Sequence, residues 1–272
     1  MDLFFRDPTT AAADIPVSRL LSNESSQLTL PRDDKVAAGH VVSQLQSVHL
    51  PDGDISPLIS FLSIEFLIRQ GNYGRALELV EQTAQSMHQD NFDIHLQVKL
   101  LCLKARILEK TDQPQRGFSL AMRAASIAHR SRLLPGLWES ICVLGRVLLS
   151  LSEFEAVGEL IDSIMPRVLE TDDCDLAARA YSLLVDANMG IAGVLWSQGQ
   201  SSNTPSRNEY VNRALGYIDS AYDQYEEIED FQGQCEMIAK KATVMHLTGD
   251  LVLANDYAAK YLDLRKQSGT ER

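Results

Sequence analysis

The sequence predicts an all-α fold, an α-solenoid of about five helical pairs. Apolar residues recur at helical spacing, and short polar turns interrupt them about every 40 to 50 residues, near Gly71, Asp112, Ser152, Gly199 and Gly249. The chain has only 15 glycines and 9 prolines, and no long stretch shows the alternation typical of strands. Because a helical pair cannot bury its apolar face alone, successive pairs must stack on one another.

The first 50 residues differ from the rest of the chain. Three prolines and the polar run 22–27 leave room only for short helical pieces, such as residues 36–48. We interpret residues 1–50 as a flexible N-terminal arm, with residues 36–48 as an alternative capping helix. Residues 51–268 form the predicted repeat domain.

The first three pairs are predicted between Pro57 and Leu169. Proline suits the first turn of a helix, because a free N–H there has no partner within the helix, and glycine suits the turn that ends one. The predicted helices of these pairs span residues 57–70, 74–87, 94–108, 114–129, 135–151 and 154–169.

The fourth pair contains the longest predicted helix and an insertion. Asp172 or Asp173 is placed to cap this helix, whose apolar stripe includes Val194, and we assign Trp196 to the solenoid core. The stretch from Gly199 to Arg207 is polar and rich in turn-forming residues, which predicts a mobile loop. The remaining predicted helices span residues 208–230, 232–247 and 251–264.

Glycines at the turns and small residues near the start of second helices resemble the pattern of tetratricopeptide repeats, over residues 54–267. In that family a small residue early in the second helix allows the two helices of a pair to approach closely. The resemblance implies a non-catalytic protein that acts through protein–protein contacts. Gly117 and Val157 depart from it, since alanine is usual at their position. The residues assigned to repeat packing are Gly71, Tyr73, Ala76, Leu144, Gly145, Phe154, Ala242, Gly249 and Ala254.

The last third of the chain carries a narrower resemblance. A long alanine-rich helix, a polar insertion and the segments 214–225 and 237–250 follow one another as in the C-terminal repeats of the anaphase-promoting complex subunit 5 family. That family is larger and has an additional N-terminal domain, so this chain would be a fragment or a truncated product.

This resemblance implies a scaffold subunit of a cullin-RING ubiquitin ligase that controls mitotic progression. Its partners would be the other subunits of that complex, in the nucleus and the cytoplasm. The alternatives are a stand-alone repeat adaptor and an all-α regulator that binds a small ligand in a concave groove.

Charge and motif content argue against several other function classes. The net charge of -12 disfavours nucleic acid and anionic membranes, both of which select clustered Lys and Arg. The 4 cysteines contain no Cys-x-x-Cys pair, and none of the 6 histidines has a second His or Cys one helical turn away. Phosphate-loop, dinucleotide-binding, hydrolase and zinc-protease motifs are absent from the sequence. We therefore expect free buried thiols and neither catalysis nor a metal or cofactor.

The segment from Ala214 to Ala239 contains acidic residues and no Lys or Arg. The simpler interpretation is a helix face that is exposed to solvent. The functional alternative is a docking surface for a basic partner. The residues of this candidate acidic surface are Asp219, Asp223, Glu226, Glu227, Glu229 and Asp230.

Overall fold

The computed structural model describes residues 57–87, 93–198 and 205–267, and these ranges contain ten α-helices and no strand. In chain order the helices are α1 (Pro57–Arg69), α2 (Tyr73–Met87), α3 (Ile94–Lys110), α4 (Pro114–Arg130), α5 (Leu134–Ser150), α6 (Phe154–Leu169), α7 (Cys174–Ser197), α8 (Pro205–Glu227), α9 (Phe231–Thr248) and α10 (Leu251–Gln267). The predicted all-α fold is confirmed. The predicted arm, residues 1–50, lies outside the described residues, so this division of the chain stays a prediction.

The helices pack as five consecutive pairs, from α1 with α2 to α9 with α10. Each helix contacts the next one along the chain, and α1, α3, α5 and α7 also contact one another in succession. We call α1, α3, α5, α7 and α9 the first-helix layer, since each is the first helix of its pair.

Seven of the links between helices are short, and in each of these one residue reverses the chain in the left-handed backbone region. These residues are Gly71, Asp112, Arg132, Ser152, Asp172, Glu229 and Gly249, with φ between 52° and 88°. Only two of them are glycines. The next residue then bonds back to the finished helix, as when Gln113 N donates to Leu108 O at 2.9 Å. After Asp172, Asp173 caps α7, and its carboxylate accepts from Leu176 N at 2.9 Å.

A small or β-branched residue is buried at the fourth position of α2, α4, α6 and α10. Ala76 and Val157 are fully buried, and Ala254 is 8% exposed. At Gly117 a Cβ would lie 3.0 Å from the carbonyl oxygen of Ala105 in α3. This close approach of α3 and α4 explains why glycine replaces the usual alanine there.

The core is a series of four clusters, each of which joins both helices of one pair to the first helix of the next. The cluster of α5, α6 and α7 contains Ile161 and Leu184, which are 0% and 1% exposed. Because each cluster belongs to two pairs, burial of apolar surface holds neighbouring pairs together as well as the helices within a pair.

The fourth pair differs from the prediction at the end of its insertion. α8 begins at Pro205, so residues 205–207 are helical, and the prediction of a loop there is wrong. Arg207 is 3% exposed, and its Nη2 donates to the carbonyl of Leu247 in α9 at 3.1 Å. Pro205 at the first position of α8 suits a helix start, and the bond of Arg207 holds this first turn against α9. Residues 199–204 lie outside the described residues.

The end of α7 is more exposed than predicted. Val194 and Trp196 are 41% and 50% exposed, so their assignment to the core is wrong. The guanidinium of Arg207 lies 4.9 Å from the centre of the Trp196 ring and covers part of it. The last turn of α7 extends beyond the two clusters that bury the rest of the helix.

Candidate functional site

Partly buried charges run along the first-helix layer and connect successive pairs. Arg106 of α3 pairs with Glu65 of α1 at 2.9 Å, and Lys240 of α9 pairs with Asp186 of α7 at 2.7 Å. Lys240 Nζ also donates to Ser182 Oγ at 3.0 Å. Ion pairs with this much exposure each contribute roughly 0 to 1 kcal/mol to the free energy of unfolding. Their main effect is to give the layer a polar surface.

A cleft of about 300 Å³ opens on this layer between α3, α5 and α7. Leu149, Phe154 and Leu183 supply its apolar lining. Its charged and polar lining comes from Glu109, Lys110, Arg146, Ser150 and Asp186. We call it the α3–α5–α7 cleft. Three successive pairs contribute to it, and it therefore exists only when the pairs are stacked.

Glu109 is the unusual residue of the α3–α5–α7 cleft. Its side chain is 8% exposed, and its Oε1 accepts from Lys110 Nζ at 3.2 Å and from Ser150 Oγ at 3.0 Å. Its Oε2 is buried and has no hydrogen-bond partner among the described residues. An unsatisfied buried acceptor costs about 1 to 3 kcal/mol, and more if it is charged. Such a group calls for an explanation, and a missing binding partner is one.

The predicted acidic surface is only partly available to a partner. Asp219 pairs with Lys241 of α9, and Asp230 caps α9 by accepting from Gln232 N at 3.0 Å and Gly233 N at 3.2 Å. Two of the six carboxylates therefore have structural roles. Of the other four, Asp223, Glu226 and Glu227 are exposed on α8, and Glu229 lies in the link that follows. Their role in docking stays a prediction.

The predicted repeat-packing residues of the third pair contact neighbouring helices. A Cβ added at Gly145 would lie 3.3 Å from both Ile161 Cδ1 and Leu183 Cδ1, so α5 approaches α6 and α7 closely there. Leu144 is 7% exposed. A Cβ at Gly190 would lie 2.7 Å from Cγ of Phe154, which shows that this ring packs on the backbone of α7.

Some repeat-packing residues of the first and fifth pairs lie in the core, and others lie in turns. Tyr73 and Ala76 belong to the cluster of α1, α2 and α3, and Ala254 is buried at the start of α10. Ala242 is half-buried on α9. A Cβ added at Gly71 or Gly249 would meet no atom within 4 Å, so close packing does not require glycine there. Their positive φ does.

The buried cysteines have unreactive surroundings. Burial raises the pKa of the Cys102 thiol to about 12 and that of Cys142 to about 11. Cys102 Sγ lies 3.4 Å from Ser140 Oγ. In residues 57–87, 93–198 and 205–267, no three His, Cys, Asp or Glu side chains are grouped closely enough to hold a metal ion. None of the helices described is long and apolar enough to cross a membrane.

We expect Cys174 to react with iodoacetamide at pH 8 well before Cys102 and Cys142. Burial raises the pKa of all three thiols, but Cys174 is only half-buried, whereas Cys102 and Cys142 are buried and out of reach of the reagent. Mass spectrometry of the native protein after timed alkylation measures the order, and alkylation in urea provides the fully reactive reference. Equal rates at Cys102 and Cys174 in the native protein would contradict this packing.

Comparison with solved structures gives the same fold at low sequence identity. A Rap protein complexed with competence and sporulation factor matches with a TM-score of 0.68 and 11% identity, over 85% of this chain and 59% of the Rap chain. BtubC (BKLC) from P. vanneervenii matches with a TM-score of 0.55 and 14% identity, over 95% of this chain and 94% of its own. The TPR-like repeats of a Podosopora anserina putative kinesin light chain match with a TM-score of 0.52 and 12% identity, over 78% of this chain and 95% of theirs. The fold is that of tetratricopeptide-like repeats.

No protein-family model matches the chain, and no curated protein matches it. The chain spans 59% of the length of the Rap protein, so it corresponds to part of that larger chain. The resemblance to tetratricopeptide repeats is confirmed at the level of the fold. The resemblance to anaphase-promoting complex subunit 5 gains no support from these comparisons.

Proposed function

We propose that this chain is a protein-binding adaptor whose first-helix layer holds a segment of its partner. The observation that carries the proposal is the α3–α5–α7 cleft, where the buried Glu109 Oε2 has no hydrogen-bond partner in the part of the chain that the structure describes. Tetratricopeptide-like solenoids present extended surfaces of this kind, built from successive repeats. The Rap protein of similar fold was solved in complex with competence and sporulation factor, which supports a binding role for the fold.

Site-specific photocrosslinking tests this proposal in the protein's own cells. A photoreactive amino acid at Arg146 would report contacts at the α3–α5–α7 cleft. The matched control is Met122, which is 46% exposed on α4, a second helix. We expect discrete crosslinked partners from position 146 and none of them from position 122. Partners captured only from position 122 would place binding on the second helices and overturn the proposal.

We further propose, on the sequence resemblance of segments 214–225 and 237–250 alone, that the partner assembly is the anaphase-promoting complex. In this narrower proposal the chain is a non-catalytic scaffold subunit of that ubiquitin ligase. The exposed carboxylates Asp223, Glu226 and Glu227 of α8 would be a further contact surface. A stand-alone adaptor fits the same fold equally well.

Native size-exclusion chromatography separates these two possibilities. A scaffold subunit should co-elute at high mass with ubiquitin-ligase activity, and depletion of the chain should reduce that activity. A stand-alone adaptor should elute near its own mass of 30.2 kDa or with one partner. Elution without any ligase subunit would reject the narrower proposal and leave the adaptor function in place.

A further inference from the structure

We propose that the α3–α5–α7 cleft binds an arginine side chain of the partner, with Glu109 as the acceptor of its guanidinium group. The inference rests on the proposed protein-binding function and names the chemistry that the cleft recognises. It follows from the hydrogen-bond capacity of Glu109, from the other groups that line the cleft and from its size.

Only one of the two oxygens of the Glu109 carboxylate, Oε2, accepts no hydrogen bond from the described residues. Lys110 Nζ and Ser150 Oγ both donate to Oε1, whereas Oε2 has no donor among the described residues. An ionised carboxylate accepts at about four lone-pair sites. Because Oε2 is buried in the free chain, a donor reaches it only when the Glu109 carboxylate turns toward the cleft that it lines, and a ligand in the cleft can bring that donor. A cationic donor forms the stronger hydrogen bond with a carboxylate.

The remaining lining of the cleft suits the other parts of an arginine side chain. Leu149 and Leu183 offer apolar surface for its methylene stem, and Phe154, which also lines the cleft, offers an aromatic ring as a partner for the guanidinium. Asp186 supplies a second carboxylate, which is 43% exposed and is held by Lys240 through Oδ1. The volume of about 300 Å³ is at the lower end of the range for ligand pockets and fits one large side chain.

Lys110 and Arg146 also line the cleft, so its four charged groups balance formally. The preference for a cation therefore comes from the unpartnered oxygen and not from the net charge of the lining. An acidic ligand could pair with Arg146, but it would leave Oε2 of Glu109 unsatisfied and would add a third carboxylate to the cleft. The net charge of -12 on the whole chain also favours the approach of basic partners.

Arginine fits this arrangement better than lysine does. A guanidinium is planar and has five N–H donors, so it can donate hydrogen bonds to Glu109 and to a second acceptor at the same time. A lysine ammonium is a compact and strongly hydrated charge, and its desolvation in a cleft with an apolar lining is less favourable. We therefore expect the partner sequence to contain an arginine that cannot be exchanged for lysine without loss of affinity.

A displayed library of random seven-residue peptides, selected on the full chain, tests this inference directly. We expect arginine to be enriched at one peptide position. One selected peptide is then synthesised with arginine, lysine or citrulline, the neutral isostere of arginine, at that position. Replacement by citrulline should weaken binding about 10-fold to 100-fold, the effect of losing a hydrogen bond between charged groups.

Two variants of the protein locate the effect. Glu109→Gln keeps an oxygen acceptor for Lys110 and Ser150, so it should fold normally and lose the discrimination between arginine and citrulline. Glu159→Gln is the matched control, since it makes the same change at an exposed position of α6 outside the cleft, and it should retain that discrimination. Loss of binding in a third variant, Arg146→Gln, with normal binding in Glu109→Gln would show that the cleft takes an anion, which overturns the inference.

The outcomes for the inference and for the proposed function are distinct. Selected peptides that crosslink at position 146 but show no preference for arginine would refute the inference and leave the protein-binding function standing. A library that yields no binder, together with no crosslinked partner at position 146, would overturn both. The comparison of arginine with citrulline uses the unmodified protein. It therefore shows whether the cleft prefers arginine even if Glu109→Gln melts at a lower temperature.

Discussion

Replacement of Gly233 by alanine is expected to lower the free energy of unfolding by about 1 to 3 kcal/mol, the usual cost of overpacking. A Cβ at this position would lie 2.6 Å from Cε1 of Tyr225, far closer than two carbons can approach. The ring of Tyr225 is 7% exposed and belongs to the cluster of α7, α8 and α9. Since packed neighbours surround it, the ring cannot move aside without disturbing both α8 and α9.

Gly216 provides the matched control on α8. A Cβ there would meet no atom within 4 Å, and the residue is exposed in the middle of the helix. Gly216→Ala should therefore raise the free energy of unfolding by about 0.5 to 1 kcal/mol, because alanine favours the helix over the unfolded chain. Urea denaturation of the two variants and the parent protein measures both changes. Two shifts of the same sign would contradict the close packing of Tyr225 on α9.

The helices could be predicted because local sequence determines them. The apolar spacing within α5 and α6, the proline at the start of α4 and the glycines of two turns are all visible without knowledge of the fold. At the end of the insertion Pro205 gives the same signal for the start of α8, and the loop prediction overlooked it. The burial of Arg207 was not visible, because its guanidinium is bonded to a carbonyl 40 residues later in the chain.

The turns with positive φ could be predicted from the sequence only in part. Gly71 and Gly249 predict a turn by their residue type, because glycine adopts positive φ at little cost. Arg132 and Glu229 adopt the same conformation without any such signal. At these sites the residue that follows bonds back to the finished helix, Leu133 N to Ala128 O and Asp230 N to Tyr225 O, each at 2.9 Å, and the type of the turn residue does not reveal it.

The cleft could not be predicted from the sequence for a related reason. Glu109, Arg146 and Asp186 lie on three different helices, and only the register between stacked pairs brings them together. One partial signal exists, since Arg146 interrupts the apolar sequence of α5. The acidic segment is the opposite case. Its charges are visible in the sequence, but Asp219 and Asp230 are used in helix packing and capping.

Ile161→Ala is expected to have the largest effect on stability, a loss of about 2 to 5 kcal/mol. The side chain is fully buried in the cluster that joins the third pair to α7. Its removal costs the transfer free energy of the lost carbons and leaves a cavity between α5, α6 and α7. Because this cluster connects two pairs, we expect the loss to affect the whole described solenoid and not α6 alone.

A second substitution at Gly145 tests whether that cavity lies where the structure places it. In the parent protein, Gly145→Ala would bring its Cβ to 3.3 Å from Ile161 Cδ1 and from Leu183 Cδ1, so it should be neutral or destabilising. In the Ile161→Ala background one of these contacts disappears, and the same methyl group fills part of the cavity and favours the helix. Gly145→Ala should then be stabilising, with a coupling energy of at least about 0.5 kcal/mol in the double-mutant cycle. Additive effects of the two substitutions would mean that α5 and α6 do not meet at these residues.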